Sequence, residues 1–248
     1  MINRPEMKAR AKVSMKNAKN IYLVTLVLLV INFAISALSL KLNYPGLTLS
    51  EIFNAVYGDG DAEALYYSMM NSSGIATLLD VILSFMLSIV TIGFSLCCIS
   101  ISRSESINVG MLFDPFAYFL KCIWLNILIG LKVFAWTLLF IVPGIIAAYR
   151  YRFAIYCFID DPDLSASECI ARSCELTRGH KGELFVLDLS FIGWSLLTII
   201  PFVSIFVMPY METTNAHFYN EISGYTPEVS EDTSTPGGYD NYKEPWDE

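Results

Sequence analysis

Two arginines, Arg150 and Arg152, interrupt an otherwise apolar stretch and are the side chains best suited to chemistry in this sequence. A charge at bilayer depth is rare and usually faces a partner or a water-filled cavity. Two residues apart on a helix, the side chains point in directions about 200° apart. Each guanidinium can bind a carboxylate or a phosphate bidentately. We therefore expect ion pairs that orient helices, or a site for an anion or lipid headgroup, or simple snorkelling to the membrane surface.

Other charged residues in apolar segments are the candidate partners of these arginines. Three of them, Asp80, Asp188 and Glu212, are carboxylates on three different predicted helices, so any ion pair with an arginine would join two helices. Lys132 also lies deep in an apolar segment, and we expect it to face other helices. The candidate intramembrane polar site therefore consists of Arg150, Arg152, Lys132, Asp80, Asp188 and Glu212.

The remaining reactive side chains show no pattern typical of a metal centre or a catalytic triad. His180 and His217 lack the spacing of a zinc helix. The six cysteines form no C-x-x-C pair, so free thiols are expected. The acidic run 160–163 could bind a divalent cation at the membrane surface, but a turn followed by a helix cap is the simpler reading. We expect no metal, no cofactor and no catalytic residue.

The composition places the chain among integral membrane proteins. Hydrophobic residues make up 54% of the 248 residues and charged residues only 16%, and the mean hydropathy is positive. The net charge of −8 belongs mainly to residues 221–248, which hold eight acidic side chains and one lysine. The sequence contains no basic groove with interleaved aromatic residues, so nucleic acid is not an expected partner.

The apolar runs predict an all-α, polytopic helix bundle with about six transmembrane helices in three hairpins. A basic, amphipathic cytoplasmic segment is expected over 1–20, a membrane domain over 21–221, and an acidic disordered cytoplasmic tail over 222–248. The excess of lysine and arginine before the first span places the amino terminus in the cytoplasm. The predicted spans are 21–40, 75–101, 118–142, 145–159, 183–200 and 202–219.

Pro143 and Gly144 decide the topology of the centre of the chain. A helix running straight through them would leave the basic segment 150–181 outside, against the positive-inside bias. A turn at this dipeptide instead returns the chain to the cytoplasm, so we predict a hairpin. Ser165 and Glu168 then form a capping-box pattern, which predicts an amphipathic cytoplasmic helix over 165–178.

Several segments together resemble a known family. The segments that carry the resemblance are Pro143-Gly144-Ile145-Ile146, Asp161-Pro162-Asp163-Leu164-Ser165-Ala166, Gly179-His180-Lys181, Leu187-Asp188-Leu189-Ser190-Phe191-Ile192-Gly193-Trp194 and Pro209-Tyr210-Met211-Glu212-Thr213-Thr214. The chain resembles, over roughly residues 4–221, the bacterial family called domain of unknown function 975. The resemblance implies a six-span integral membrane protein with no established activity. This family is also distantly similar to the membrane domain beside some glycerophosphodiester phosphodiesterases, which hints at envelope or lipid biology.

Two functions follow as expectations. The first is a non-enzymatic scaffold or accessory of an envelope or transport system, in the bacterial inner membrane with both termini cytoplasmic. The alternative is a small transporter or a lipid- or anion-binding membrane protein that uses Arg150 and Arg152; a membrane-embedded enzyme has little support. The expected partners are anionic lipid headgroups near the basic amino-terminal segment and an unidentified membrane protein.

Overall fold

The computed structural model describes residues 4–43 and 74–225, and within these ranges the chain is helical, with no strand. The prediction of an all-α protein is confirmed for this part of the chain. Two 3-10 turns, Val109–Leu112 and Asp114–Tyr118, precede the fourth helix. The α-helices are α1 Arg4–Asn17, α2 Asn20–Asn43, α3 Gly74–Ser102, α4 Phe119–Leu139, α5 Ile141–Tyr151, α6 Ala154–Asp160, α7 Ala166–Leu176, α8 Lys181–Leu189, α9 Ile192–Leu197 and α10 Pro201–Ser223.

Three helical stretches are long and apolar enough to cross a membrane. They are Asn20–Asn43, Gly74–Ser102 and Val109–Leu139, and each exceeds the about 20 residues that a bilayer requires. They overlap the first three predicted spans, 21–40, 75–101 and 118–142, although the third stretch ends at Leu139. The class of membrane protein is therefore supported, whereas the six spans and their pairing in three hairpins remain predictions.

The turn between α4 and α5 lies at Phe140, three residues before the predicted position. Phe140 is extended (φ −159°, ψ 147°) and separates the two helices, which pack against each other. Pro143 and Gly144 instead lie in the first turn of α5, where a missing N–H costs no helical hydrogen bond. A Cβ on Gly144 would lie 2.2 Å from Thr137 Oγ1. This glycine therefore permits the close approach of the two helices.

The predicted span 145–159 is divided into α5 and α6 by a side chain from another helix. Ser173 Oγ donates to the carbonyl of Arg150 (2.8 Å), and the N–H of Phe153 donates to the same hydroxyl (3.2 Å). The hydroxyl thus forms hydrogen bonds with backbone groups on both sides of the break. A side chain that inserts between the backbone groups of a helix in this way is a known cause of an interrupted helix. Ser173 belongs to α7, which folds back beside α6.

The predicted cytoplasmic helix is present as α7, and its capping box is confirmed. Ser165 Oγ accepts from the N–H of Glu168 (3.3 Å), and the Glu168 carboxylate accepts from the N–H of Ser165 (2.8 Å). In the turn before it, Asp161 Oδ1 accepts from the N–H of Asp163 (3.2 Å). The acidic run thus forms a turn that leads into a helix, as the simpler reading expected.

The last two predicted spans differ from each other in regularity. The predicted span 183–200 consists of α8 and the short α9, which are separated at residues 190–191. The predicted span 202–219 lies within α10, which continues unbroken past Pro209 to Ser223. From residue 226 onward, the predicted tail 222–248 lies outside the described residues.

Buried residues concentrate in one half of the bundle. They occupy the second half of α3, the residues around the break between α5 and α6, and most of α10 from residue 207 onward. The opposite half exposes large apolar side chains on the long helices and in the turns between helices, among them Phe33, Leu78, Leu138, Phe140, Ile199 and Phe202. Such a surface is stable in lipid rather than in water. The polar groups described next lie in the well-packed half.

Candidate functional site

Arg152 and Asp188 form a bidentate ion pair between the end of α5 and α8. Arg152 Nη1 lies 2.5 Å from Asp188 Oδ2, and Arg152 Nη2 lies 2.9 Å from Oδ1. Tyr149 donates its hydroxyl proton to Asp188 Oδ2 (2.9 Å), and Arg152 Nη2 also donates to Asn215 Oδ1 on α10 (3.2 Å). The two charged side chains are 26% and 32% exposed. This group, which we call the 152–188 set, joins three helices.

A second group has the same composition and lies where α3, α6 and α10 meet. Arg103 donates from Nη1 to Asp160 Oδ1 (2.8 Å) and from Nη2 to Oδ2 (3.1 Å). Tyr219 donates to Asp160 Oδ2 (2.6 Å), and Asn220 Oδ1 accepts from Arg103 Nε and Nη2 (both 3.2 Å). Its charged side chains are 13% and 18% exposed. We call this group the 103–160 set.

Each set therefore consists of an arginine, an aspartate, a tyrosine and an asparagine. In both sets a tyrosine hydroxyl bonds to the carboxylate and an asparagine carbonyl bonds to the guanidinium, so most of the polar atoms are satisfied. The two asparagines, Asn215 and Asn220, come from the same helix, α10. α10 thus contacts both ion pairs, through Asn215 in one set and through Tyr219 and Asn220 in the other.

The 103–160 set was missed by the sequence interpretation. Arg103 was read as the end of the second span and Asp160 as the beginning of a turn, with no link between them. One signal could have found the pair: in the predicted topology both residues lie at cytoplasmic ends of spans. Residues at the same membrane surface on neighbouring helices are natural partners.

Glu212 lies close to these sets but contacts no arginine. Its Oε1 accepts from Ser95 Oγ on α3 (2.8 Å) and from the Tyr156 hydroxyl on α6 (2.6 Å). Both donors are buried. A carboxylate that accepts two hydrogen bonds in this way connects α10 to two further helices. Its predicted role as a direct partner of an arginine is therefore wrong.

The other three predicted site residues lie apart from the 152–188 set. Asp80 accepts a short hydrogen bond from Ser39 on α2 and contacts neither arginine. Arg150 and Lys132 form no ion pair within the described part of the chain. Arg150 Cζ and Lys132 Nζ each lie 6.0 Å from the centroid of the Tyr151 ring. Of the six residues, only Arg152 and Asp188 are thus in direct contact.

The amino-terminal basic helix packs against the bundle. Met7, Ala11 and Met15 of α1 are buried, and their spacing of four residues forms one helix face. Lys8 Nζ donates to Ser190 Oγ (2.7 Å) and lies 4.3 Å from the Phe191 ring centroid. Burial, then the positive charges of nearby basic residues, lower the pKa of Lys8 from its ordinary value. One face of the segment predicted to meet lipid is therefore occupied by protein.

The cysteines and histidines form no disulfide and no candidate metal site in the described ranges. All six cysteines are free, and five of them are buried. His217 Nε2 lies 3.0 Å from Ser14 Oγ and His180 Nδ1 lies 2.9 Å from Glu183 Oε2. In residues 4–43 and 74–225, no group of three or more His, Cys, Asp and Glu side chains is placed to hold a metal ion. The polar groups thus connect helices rather than converge on one reactive point.

Comparison with known proteins assigns a family and no chemistry. A family model described as "Protein of unknown function (DUF975)" matches residues 1–149 and 138–226. The resemblance predicted from the sequence is confirmed by this match. Neither the search of curated proteins nor the search of solved structures finds a match.

Proposed function

We propose that this chain, which belongs to the DUF975 family of proteins of unknown function, acts as a non-enzymatic scaffold or accessory of an envelope or transport system. One observation carries the proposal. The two Arg–Asp sets and Glu212 use their charges to connect α10 with four other helices, α3, α5, α6 and α8. Charged groups satisfied in this way stabilise a defined bundle, and they present no free acid, base or nucleophile to a substrate.

The proposed setting is the bacterial inner membrane, with six spans in three hairpins and both termini in the cytoplasm. Three apolar helices of spanning length support the membrane setting. In this arrangement α5 with α6, α8 with α9, and α10 supply the remaining three crossings. The concentration of exposed basic residues on α1 supports a cytoplasmic amino terminus.

The proposed partners are a membrane protein and anionic lipid. A scaffold needs a partner, and the exposed apolar faces of α4 and α9 provide surface for a helix of another protein. The exposed cations available for lipid contact in the amino-terminal segment are Lys12 and Lys16 on α1 and Lys19 just after it. Each such cation contributes about 1 kcal/mol near an anionic membrane surface.

The alternative is a small transporter or lipid-binding protein that uses Arg150 and Arg152 to bind its ligand. Only one of these two arginines has donors available for a ligand. Arg152 is bound to Asp188 and Asn215. A cleft of about 530 Å³ lies instead between the start of α2 and the chain after α3, where Lys19 and Glu105 line it. None of the six predicted site residues lines this cleft, so transport through it would not use them.

The test compares transport with partner binding. The purified full-length protein is reconstituted in liposomes, and ion flux and lipid scrambling are measured beside protein-free liposomes. In parallel, the protein is cross-linked in its native membranes and its neighbours are identified. The proposal predicts no flux above the control and one cross-linked membrane protein in constant proportion. Flux that disappears in Asp188→Asn while the protein remains folded would overturn it.

A further inference from the structure

Lys132 and Arg150 are two cations beside one aromatic ring. Lys132 on α4 and Arg150 on α5 each lie 6.0 Å from the centroid of Tyr151, whose side chain is buried. Lys132 is exposed and Arg150 is half-buried. Neither has a carboxylate partner among the described residues, in contrast to Arg152 two positions further on. Two like charges therefore face the same ring, and no protein anion described here offsets them.

The position of Lys132 along α4 makes this charge costly. At the start of the same helix, Lys121 Nζ donates to the backbone carbonyl of Pro162 in the turn before α7 (2.7 Å). Lys132 follows eleven residues later, about 16 Å further along the axis. A cation at that depth among apolar side chains normally faces a partner or a water-filled path. A cation–π contact at the limit of its range contributes much less than such a partner.

A polar path reaches this level along α7. The helix begins beside the Lys121 contact and ends at the Arg150 carbonyl, which accepts from Ser173 Oγ (2.8 Å) and Thr177 Oγ1 (3.4 Å). Its outer surface exposes a series of charged side chains. They are Glu168, Arg172, Glu175 and, just beyond its end, Arg178. Water and a charged headgroup can therefore follow α7 to the two cations.

An apolar surface begins next to the same cations. Trp136 and Leu139 follow Lys132 at i+4 and i+7 and share its face of α4. Val142 and Ile146 precede Arg150 at i−8 and i−4 and share its face of α5. These four side chains are 42%, 61%, 66% and 47% exposed. A cationic pair at the edge of an exposed apolar surface has the chemistry of a phospholipid site.

We propose that Lys132 and Arg150 bind the phosphate of an anionic phospholipid, whose acyl chains lie on the exposed faces of α4 and α5 between these residues and Phe140. The phosphate supplies the counter-charge that both cations lack. Guanidinium binds two phosphate oxygens through its planar donors, and the ammonium group binds as a point charge. This site goes beyond the scaffold role and does not depend on it. Arg152 has no part in it because Asp188 occupies its donors.

The experiment measures lipid binding to the full-length protein in mild detergent by native mass spectrometry. Phosphatidylglycerol and phosphatidylcholine are added at equal concentrations to the wild type and to Lys132→Gln/Arg150→Gln. The control, Lys41→Gln, removes an exposed lysine near the end of α2, away from the site and from α7. We expect the double variant to lose about tenfold in phosphatidylglycerol affinity, equivalent to about 1.4 kcal/mol, and the control to bind as the wild type does.

Melting curves recorded with and without each lipid distinguish a loss of lipid binding from a loss of folded protein. A folded double variant that phosphatidylglycerol no longer stabilises supports the site. Wild-type phosphatidylglycerol affinity in the conservative variant Lys132→Arg, which keeps the charge, supports it as well. Equal phosphatidylglycerol affinity in the double variant and the control overturns it. Inorganic phosphate is the final arm. If it displaces phosphatidylglycerol at millimolar concentration, the cations bind a soluble phosphate compound, and the assignment to a phospholipid is overturned.

Discussion

Replacing Arg152 with alanine should destabilise the bundle strongly, whereas the same change at Arg150 should not. Within the described part of the chain, Arg152→Ala leaves Asp188 with only the hydroxyl of Tyr149 as a partner. Removing one member of a buried ion pair costs 3–5 kcal/mol. Because the two side chains retain 26% and 32% exposure, the lower limit applies, about 3 kcal/mol. Arg150→Ala removes no ion pair, and its carbonyl contact with Ser173 is retained.

The assay is thermal unfolding of both variants in one detergent at one heating rate, because the melting point of a membrane protein can depend on that rate. For a chain of this size, 1 kcal/mol corresponds to about 2–4 °C. Arg152→Ala should therefore lower the melting temperature by about 6–12 °C. Arg150→Ala should change it by less than about 2 °C, since surface-type substitutions stay within about 0.5 kcal/mol.

Arg150→Ala is the control for Arg152→Ala, because the two arginines lie only two positions apart. Arg150 lies in the last turn of α5, and Arg152 caps its end. Equal melting temperatures for the two variants would refute the reasoning. So would a larger loss in Arg150→Ala. Either result would mean that the contacts of the 152–188 set do not hold α5 and α8 together in the detergent-solubilised protein.

Three further predictions follow from other contacts. Asp160→Asn should lower the melting temperature more than Asp188→Asn does, because its pair with Arg103 is less exposed. Gly93→Ala should reduce folded yield sharply, because its Cβ would lie 2.2 Å from a backbone oxygen of the first 3-10 turn; Gly130→Ala, which meets open space, should not. The bonds from the capping serine lower the pKa of Glu168, so its cap is present above the ordinary glutamate pKa and is lost as pH falls through the lowered value. A fall in the amide protection factors of α7 at low pH, absent in Glu168→Gln, would show this.

The local features of the fold were predictable because their causes are local. The capping box of α7 needs only Ser165, Glu168 and the intervening backbone. The three long spans follow from uninterrupted apolar runs. Even the divergence of Arg150 and Arg152 follows from helix geometry, since residues two apart point to different sides. Asp188 was correctly among the three candidate partners of the arginines.

The interrupted helices were not predictable, because their cause lies far along the chain. The break after Arg152 depends on the hydroxyl of Ser173, which reaches it only when α7 folds back. The sequence of α5 and α6 alone gives no reason to stop, since it is apolar on both sides. The same limit explains the 103–160 set, in which Arg103 and Asp160 lie 57 positions apart and Asn220 lies 117 positions from Arg103. Their proximity is decided by tertiary packing rather than by local pattern.

Glu212 shows a different limit of the sequence argument. Charge alone made it a candidate partner for an arginine, but hydroxyl groups from Ser95 and Tyr156 satisfy it instead. Serine and tyrosine carry no charge, so a search for opposite charges passes over them. Hydrogen bonds to a carboxylate nevertheless contribute about 1.5–3 kcal/mol each. Neutral donors must therefore be counted when partners are sought in apolar segments.

The central claim is that the Arg–Asp pairs hold helices together. A double-mutant cycle between Arg152→Ala and Asp188→Ala tests it most directly, with unfolding free energies from titration with sodium dodecyl sulfate in mixed micelles. The account predicts a coupling energy of at least about 1 kcal/mol for this pair and about zero for Arg150→Ala with Asp188→Ala, since only contacting residues couple. Additive effects in both cycles would contradict the claim.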